Sequence, residues 1–202
     1  MNRAITQFNK NSVSIKELGK LFDLIHDNYP LLKIQADDIL RAQFVMIVSA
    51  LDCYIHDVVK IGILEIYLGQ RSSSRKIEKY PINLPILHQI ENAPDEQTKL
   101  AFLEKHIQSI SSKDSFQSPQ NIEDALGLIN LDKIWTKLSP KMNKQPADIR
   151  DQLALIVDRR NKIAHESDRD ILSGGKIAID KRLVNNTINF IDSLCESIYR
   201  LL

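Results

Sequence analysis

The sequence predicts an all-α protein: an antiparallel helical bundle with a long central helix and a loop-rich middle insertion. Three observations carry this expectation. The 202 residues include only six Gly and seven Pro, and 6% are aromatic, too few turn formers and ring side chains for the many short strands of a sandwich or barrel. Apolar residues recur at intervals of three and four through most of the chain, the spacing of one helical face. The stretch from Ala36 to Leu68 contains no proline at all. With 43% hydrophobic residues, a chain of this length can bury a full core, and we expect one domain, 1–202, with a variable insertion at about 70–145.

The elements follow from their start and stop signals. "SIKELGKLFDLIHDNY" opens on Ser14, has Glu17 three residues on and meets Pro30, a capping box and a short helix over about 14–29. The central helix runs over about 36–68 and stops at Gly69; at 1.5 Å per residue it is about 50 Å long unless Gly62 bends it. Residues 70–94 are polar and punctuated by proline, with room for one short helix. A helix follows over about 95–112, then the loop "SSKDSFQSPQN", then helical pieces at 121–130 and 131–139. Pro140 and Pro146 bracket a basic turn, and Pro146 also opens a helix over about 147–166, where its missing N–H costs nothing. Gly174 and Gly175 turn the chain without the strand-then-helix setting of a nucleotide loop. The last helix covers about 180–202. Trp135, the one tryptophan, belongs to the core.

Composition narrows the function classes. A net charge of +1 gives no global signal for nucleic acid, so a nucleic-acid partner must be met by a local patch. Cys53 and Cys195 lie in apolar helical patterns and are expected as buried free thiols of a reducing compartment. No CxxC or HxxxH pair has zinc-ligand spacing. The opening residues "MNRAITQFNK" lack the apolar core of a signal peptide, and the run from Phe44 to Leu51 is far short of the roughly 20 residues of a membrane span. A cytoplasmic protein is expected, without a membrane partner and without a cofactor.

"DRRNKIAHESD", residues 158–168, is the stretch with chemistry in it. With Leu153 at zero on a helical wheel of about 100° per residue, Ile156, Val157, Ile163 and Ala164 fall within roughly 80°. Arg160 falls at about −20°, inside that apolar stripe, while Asp158, Asn161 and His165 share a flank at about 80–140°. Arg159, Lys162 and Glu166 are expected to point to solvent. A guanidinium cannot lose its proton, so in an apolar stripe it needs an acid, carbonyls, a phosphate or water. Asn161 stands one turn before His165, so its amide can reach the imidazole or share its ligand, and an imidazole moves protons near neutrality. Cation, amide and proton carrier on one helix suit phosphodiester chemistry.

"RNKIAH" resembles the R-x(4–6)-H signature of the HEPN superfamily, with Arg160, the polar Asn161 and then His165. With the helix containing "SALDCYIHDV" and the longer stretch "RRNKIAHESD", the chain is most similar to the RiboL-PSP branch. The resemblance covers about 147–202 best, then 36–68, and the middle least. It implies an all-α bundle that dimerises so that two motifs meet in one cleft, and a metal-independent endoribonuclease of a defence or toxin system that leaves 2′,3′-cyclic phosphate ends. Arg160, His165 and Asn161 are then the catalytic candidates. A well-known toxin branch carries a tyrosine two residues after the histidine; here Ser167 stands there, so that route of control is not expected. An inactive HEPN module, serving as antitoxin, partner or nucleotide-sensing scaffold, is the alternative.

Supporting residues are expected on the central helix and in two basic loops. Ser49, Asp52, His56 and Lys60 are spaced by three and four residues, with Arg41 near the same line, and form a polar stripe. Asp52 is expected to pair with Arg160 or orient His165, and Ser49 and Asp158 to support the motif; His56 is a poor catalytic candidate. Arg71 and Arg75, with Lys76 and Lys79, and the group Lys137, Lys141 and Lys144 are basic stretches that could follow an RNA backbone, as could Arg159 and Lys162. The expected partners are thus RNA, a second copy of the chain, and a cognate antitoxin or other defence-system protein; DNA is not expected.

Overall fold

The structure, a computed structural model, describes residues 1–169 and 174–202. Among these it contains eight α-helices: α1 (Asn2–Asn28), α2 (Lys33–Tyr67), α3 (Leu84–Glu91), α4 (Glu96–Ser111), α5 (Pro119–Leu128), α6 (Ile134–Met142), α7 (Pro146–His165) and α8 (Lys181–Tyr199). The only extended pairing among them is an isolated bridge between Arg169 and Lys176. The all-α class is as the composition implies. The chain packs as two compact units, residues 2–54 with 135–202, and residues 55–134 with Met1.

In the first unit α1 lies antiparallel to both α2 and α8. Asn2 accepts from the Tyr199 hydroxyl, Ser12 donates to Asp192 and Lys181 pairs with Asp23, so the partner number falls along α8 as it rises along α1. Likewise the Phe8 ring meets Tyr54 and Gln43 donates to the Ile15 carbonyl. Tyr54 donates to the carbonyl of Cys195 at 3.2 Å, and burial holds its hydroxyl far above the usual tyrosine range. Burial likewise raises the Cys195 thiol. Cys53, by contrast, is exposed, which corrects the expectation of two buried thiols: it faces outward between the half-buried Asp52 and the buried Tyr54.

α1 begins at Asn2, well before the expected start at Ser14. The buried positions Ala4, Ile5, Phe8, Ser12, Ile15, Gly19 and Phe22 form one unbroken stripe across that point, and packing of an amphipathic face outweighs a local capping signal. Elsewhere the caps agree. Asp95 accepts from Thr98 N at 2.7 Å and Asp180 from Leu183 N at 2.7 Å, opening α4 and α8. Gly69, at φ +70, takes the left-handed turn after α2. The expected break before Pro140 is absent, since Pro140 lies inside α6. That helix ends two residues later, so little of its ladder needs the missing donor.

The second unit is built from the last part of α2 with α3, α4 and α5. Ile122, Leu126 and Ile129 are fully buried, His106 Nε2 lies 2.9 Å from the Pro81 carbonyl, and Ser74 donates to the Leu128 carbonyl. Gly62 does not interrupt α2. Instead, a methyl group added there would stand 2.5 Å from Ile129 Cγ2. Gly62 is therefore a packing notch. Helix propensity alone favours Ala over Gly by about 1 kcal/mol, whereas overpacking a filled core costs about 1–3 kcal/mol. Gly62→Ala should lower stability in a denaturant titration, and the same substitution should cost less in an Ile129→Ala background, where the clash is relieved. A gain in the single variant would show that the Ile129 contact does not govern this position.

Candidate functional site

Helix α7 buries Ile149, Leu153 and Ile156, a face at 3–4 spacing turned into its own unit. Leu153 is 0% and Ile156 7% exposed, so the protomer's own core claims this part of the apolar stripe. Val157 and Ile163 are half-buried and Ala164 is exposed.

The two adjacent arginines are held in opposite ways. Arg159, expected at the solvent, has a side chain only 15% exposed, with Nη1 2.6 Å from Asp168 Oδ1. Its Nη2 donates to Asp168 Oδ2 at 3.0 Å and to the carbonyls of Ile177 and Ala178. Arg41 of α2 grips the same carboxylate, Nε to Oδ2 at 2.7 Å, and its Nη groups reach Asp38 and the Ile177 carbonyl. Asp168 itself is 1% exposed. Its Oδ1 is within ion-pair distance of Arg159 though not aligned as a hydrogen bond. Two cations and three carbonyl contacts thus supply what a buried carboxylate and buried guanidinium groups require.

Arg160 has no such counter-ion among the described residues. Its Nη1 donates to Asn161 Oδ1 at 3.0 Å, and its Nε is buried without a hydrogen-bond partner. Asn161 therefore serves the arginine in this structure. Of the partners considered for Arg160, the one seen among the described residues is Asn161 rather than Asp52. His165 is exposed at the end of α7. Beyond it, Ser167 and Asp168 take left-handed backbone angles, φ 56 and 57, and the Lys162 carbonyl accepts from both Glu166 N and Asp168 N at 3.0 and 2.9 Å. A cleft of about 650 Å³ opens beside this turn, with Ile163, Ser167, Arg41 and Lys176 among its walls.

The sequence matches the family described as RiboL-PSP-HEPN over residues 9–202. The chain belongs to the RiboL-PSP-HEPN family. Comparison with curated proteins and with solved structures returned no match. The family resemblance read from Arg160, Asn161 and His165 thus agrees with a match that extends over nearly the whole chain.

The other residues singled out in this HEPN chain are distributed as follows. Asp158 is exposed and pairs with Lys162 at 2.9 Å, which raises the lysine above its usual range; neither reaches His165 or Asn161 by a hydrogen bond. Ser49 lines a small 250 Å³ pocket with Met46 and Cys53 between α1 and α2. Arg71 is tied to Glu65 at 2.8 Å, and Arg75 is exposed; both belong to the unit of residues 55–134, whereas the motif belongs to the other. The His56 ring packs against Phe116, tilted by 35° with centroids 4.3 Å apart. Trp135 is 3% exposed, as expected of a core residue. Gly174 takes a positive φ in the expected turn, of which 170–173 lie outside the described residues. Among the described residues no helix is long and apolar enough to cross a membrane, and no group of His, Cys, Asp or Glu could hold a metal ion.

Sequence reasoning missed Asp168 and the role of Arg41. The available signal was Arg41 itself, set between the buried Leu40 and the fully packed turn at Phe44, where a buried cation demands a counter-ion. The contrast between neighbours makes a direct test. Arg159→Ala should cost about 3–5 kcal/mol, because it strips a partner from a buried carboxylate. Arg160→Met should leave the melting temperature unchanged or raise it, since it removes a guanidinium that lacks a counter-ion. Equal losses in the two variants would contradict this division.

Asp38 adds a pH-dependent part. Its hydrogen bond to Lys176, at 2.5 Å, and then the charge of Arg41 hold its carboxyl below the ordinary range. A lowered folded-state value contributes stability above the unfolded value near 4, and loses it as pH falls through the folded value. Melting temperatures of the parent and Asp38→Asn should therefore differ at pH 7 and converge in acid. The difference should be small, because Asp38 is half exposed. A gap that persists at pH 2 would assign the effect to something other than this charge.

Proposed function

We propose that the chain is a metal-independent endoribonuclease of the HEPN type, acting on RNA as a homodimer in a defence or toxin-like role. One observation carries the reading: the last part of α7 holds an arginine without a counter-ion among the described residues and, a turn and a residue later, an exposed histidine. Of the five histidines, His26, His56 and His106 are engaged by Asp27, Phe116 and Pro81. His88 and His165 have no partner among the described residues, and only His165 shares its helix with an arginine.

The chemistry follows from these groups. The His165 imidazole takes the proton of a ribose 2′-hydroxyl as its oxygen attacks the adjacent phosphorus. The bond from phosphorus to the 5′ oxygen breaks, and that oxygen leaves with a proton returned by the imidazolium. The products are a 2′,3′-cyclic phosphate and a 5′-hydroxyl. Arg160 offers its charge to the non-bridging oxygens, whose negative character it stabilises, and Asn161 fixes the guanidinium. Leu155 of α7, 71% exposed, provides apolar surface for a second copy or for a cognate antitoxin. Arg75 and the exposed lysines add salt-dependent attraction for the RNA backbone.

The purified protein, incubated with total and transfer RNA in EDTA, should release fragments ending in cyclic phosphate or 3′-phosphate. A 2′-deoxy nucleotide before the cut should block cleavage there. His165→Ala should slow the reaction by roughly 100-fold or more with little change in KM, whereas Arg160→Ala should impair both. Cleavage that requires added magnesium, or parent and variants that leave RNA equally intact, would instead favour a phosphate-binding or antitoxin-like module built on the same residues.

A further inference from the structure

We propose that Asp168 is a positioning residue for His165: its carboxylate, gripped from α2 and α7, fixes the turn that holds the imidazole opposite Arg160. The inference rests on the ribonuclease reading for its catalytic consequence, and on geometry for its substance.

Asp168 is held through its backbone N–H, its backbone carbonyl and both carboxylate oxygens, Oδ1 by ion-pair distance alone. The carboxylate takes Arg41 Nε and Arg159 Nη2 at 2.7 and 3.0 Å, with Arg159 Nη1 at 2.6 Å from the other oxygen. The backbone N–H donates to the Lys162 carbonyl at 2.9 Å, and the backbone carbonyl accepts from Ile177 N at 2.7 Å. The residue is 1% exposed and left-handed, as is Ser167 before it. Two consecutive left-handed residues without glycine are unfavourable by themselves and persist where the surroundings over-determine them.

The position of this knot gives it a catalytic consequence. His165 lies between Lys162, whose carbonyl Asp168 closes upon, and Asp168 itself. Arg159, the clamp's contribution from α7, is the immediate neighbour of Arg160. One carboxylate therefore anchors the helix on both sides of the Arg160–His165 span. The exposed imidazole has no partner of its own among the described residues, so its placement comes from the backbone that the clamp holds. Displacing a reacting group by about 1 Å costs on the order of 100-fold in rate.

Asp168→Asn keeps size and tolerates the left-handed conformation, but removes the charge. D168N should lower kcat by roughly ten- to hundredfold with KM little changed. In an H165A background, the same substitution should lower the residual rate no further, because its effect passes through the missing ring. An equal fall in both backgrounds would overturn the proposal and leave Asp168 a purely structural residue. Should D168N fail to fold, Arg41→Gln, which loosens the clamp from α2 and leaves α7 intact, carries the same comparison. If the parent cleaves no RNA, the ribonuclease reading fails, and positioning is judged from the ¹H–¹³C signals of the His165 ring. One narrow set in the parent that broadens or doubles in D168N or R41Q supports positioning; identical spectra overturn it.

Discussion

The buried carboxylate of Asp168, shared by Arg41 and Arg159, is the constraint on which the end of α7 depends. It joins α2 to the end of α7 across 127 residues of sequence. A buried charge is costly unless it is paired and hydrogen-bonded, and here the pairing is close to complete. The consequence is geometric: α7 ends where Asp168 closes the chain onto Lys162, and His165 is carried on that last closed turn.

The clamp also explains how two adjacent arginines can differ so sharply. Successive residues on a helix are turned by about 100°, so Arg159 and Arg160 face different surroundings. Arg159 meets Asp168 and the carbonyls of Ile177 and Ala178, which leave it satisfied. Among the described residues Arg160 meets the side-chain amide oxygen of Asn161 and no counter-ion. The helix thus uses one guanidinium to hold the turn that follows it and leaves the other with a single neutral partner.

How much of this could be read from the sequence depends on how local the cause was. The helices were legible because apolar spacing and caps act within one element: α2, α4, α7 and α8 lie close to where those signals put them. The spacing of Arg160, Asn161 and His165 is equally local, since one helix carries all three. The role of Arg159 was not legible, since a wheel for one helix cannot show a counter-ion delivered by a turn nine residues later and steadied by α2. Leu153 and Ile156 lie on the apolar stripe of α7, and the protomer's own core covers them; periodicity identifies an apolar face without saying what covers it. The start of α1 was placed at Ser14 because a capping box is conspicuous, although the stripe from Ala4 to Phe22 runs straight through it.

The division of labour between Arg159 and Arg160 is the account's central claim, and the guanidinium Nε–Hε resonances read it directly. The protein should be titrated with 2′-O-methyl RNA, which lacks the attacking hydroxyl and is not cut. The Arg160 resonance should shift with added RNA, whereas those of Arg41 and Arg159 should stay in place, protected by Asp168. Shifts at Arg159 with Arg160 unmoved would contradict the account.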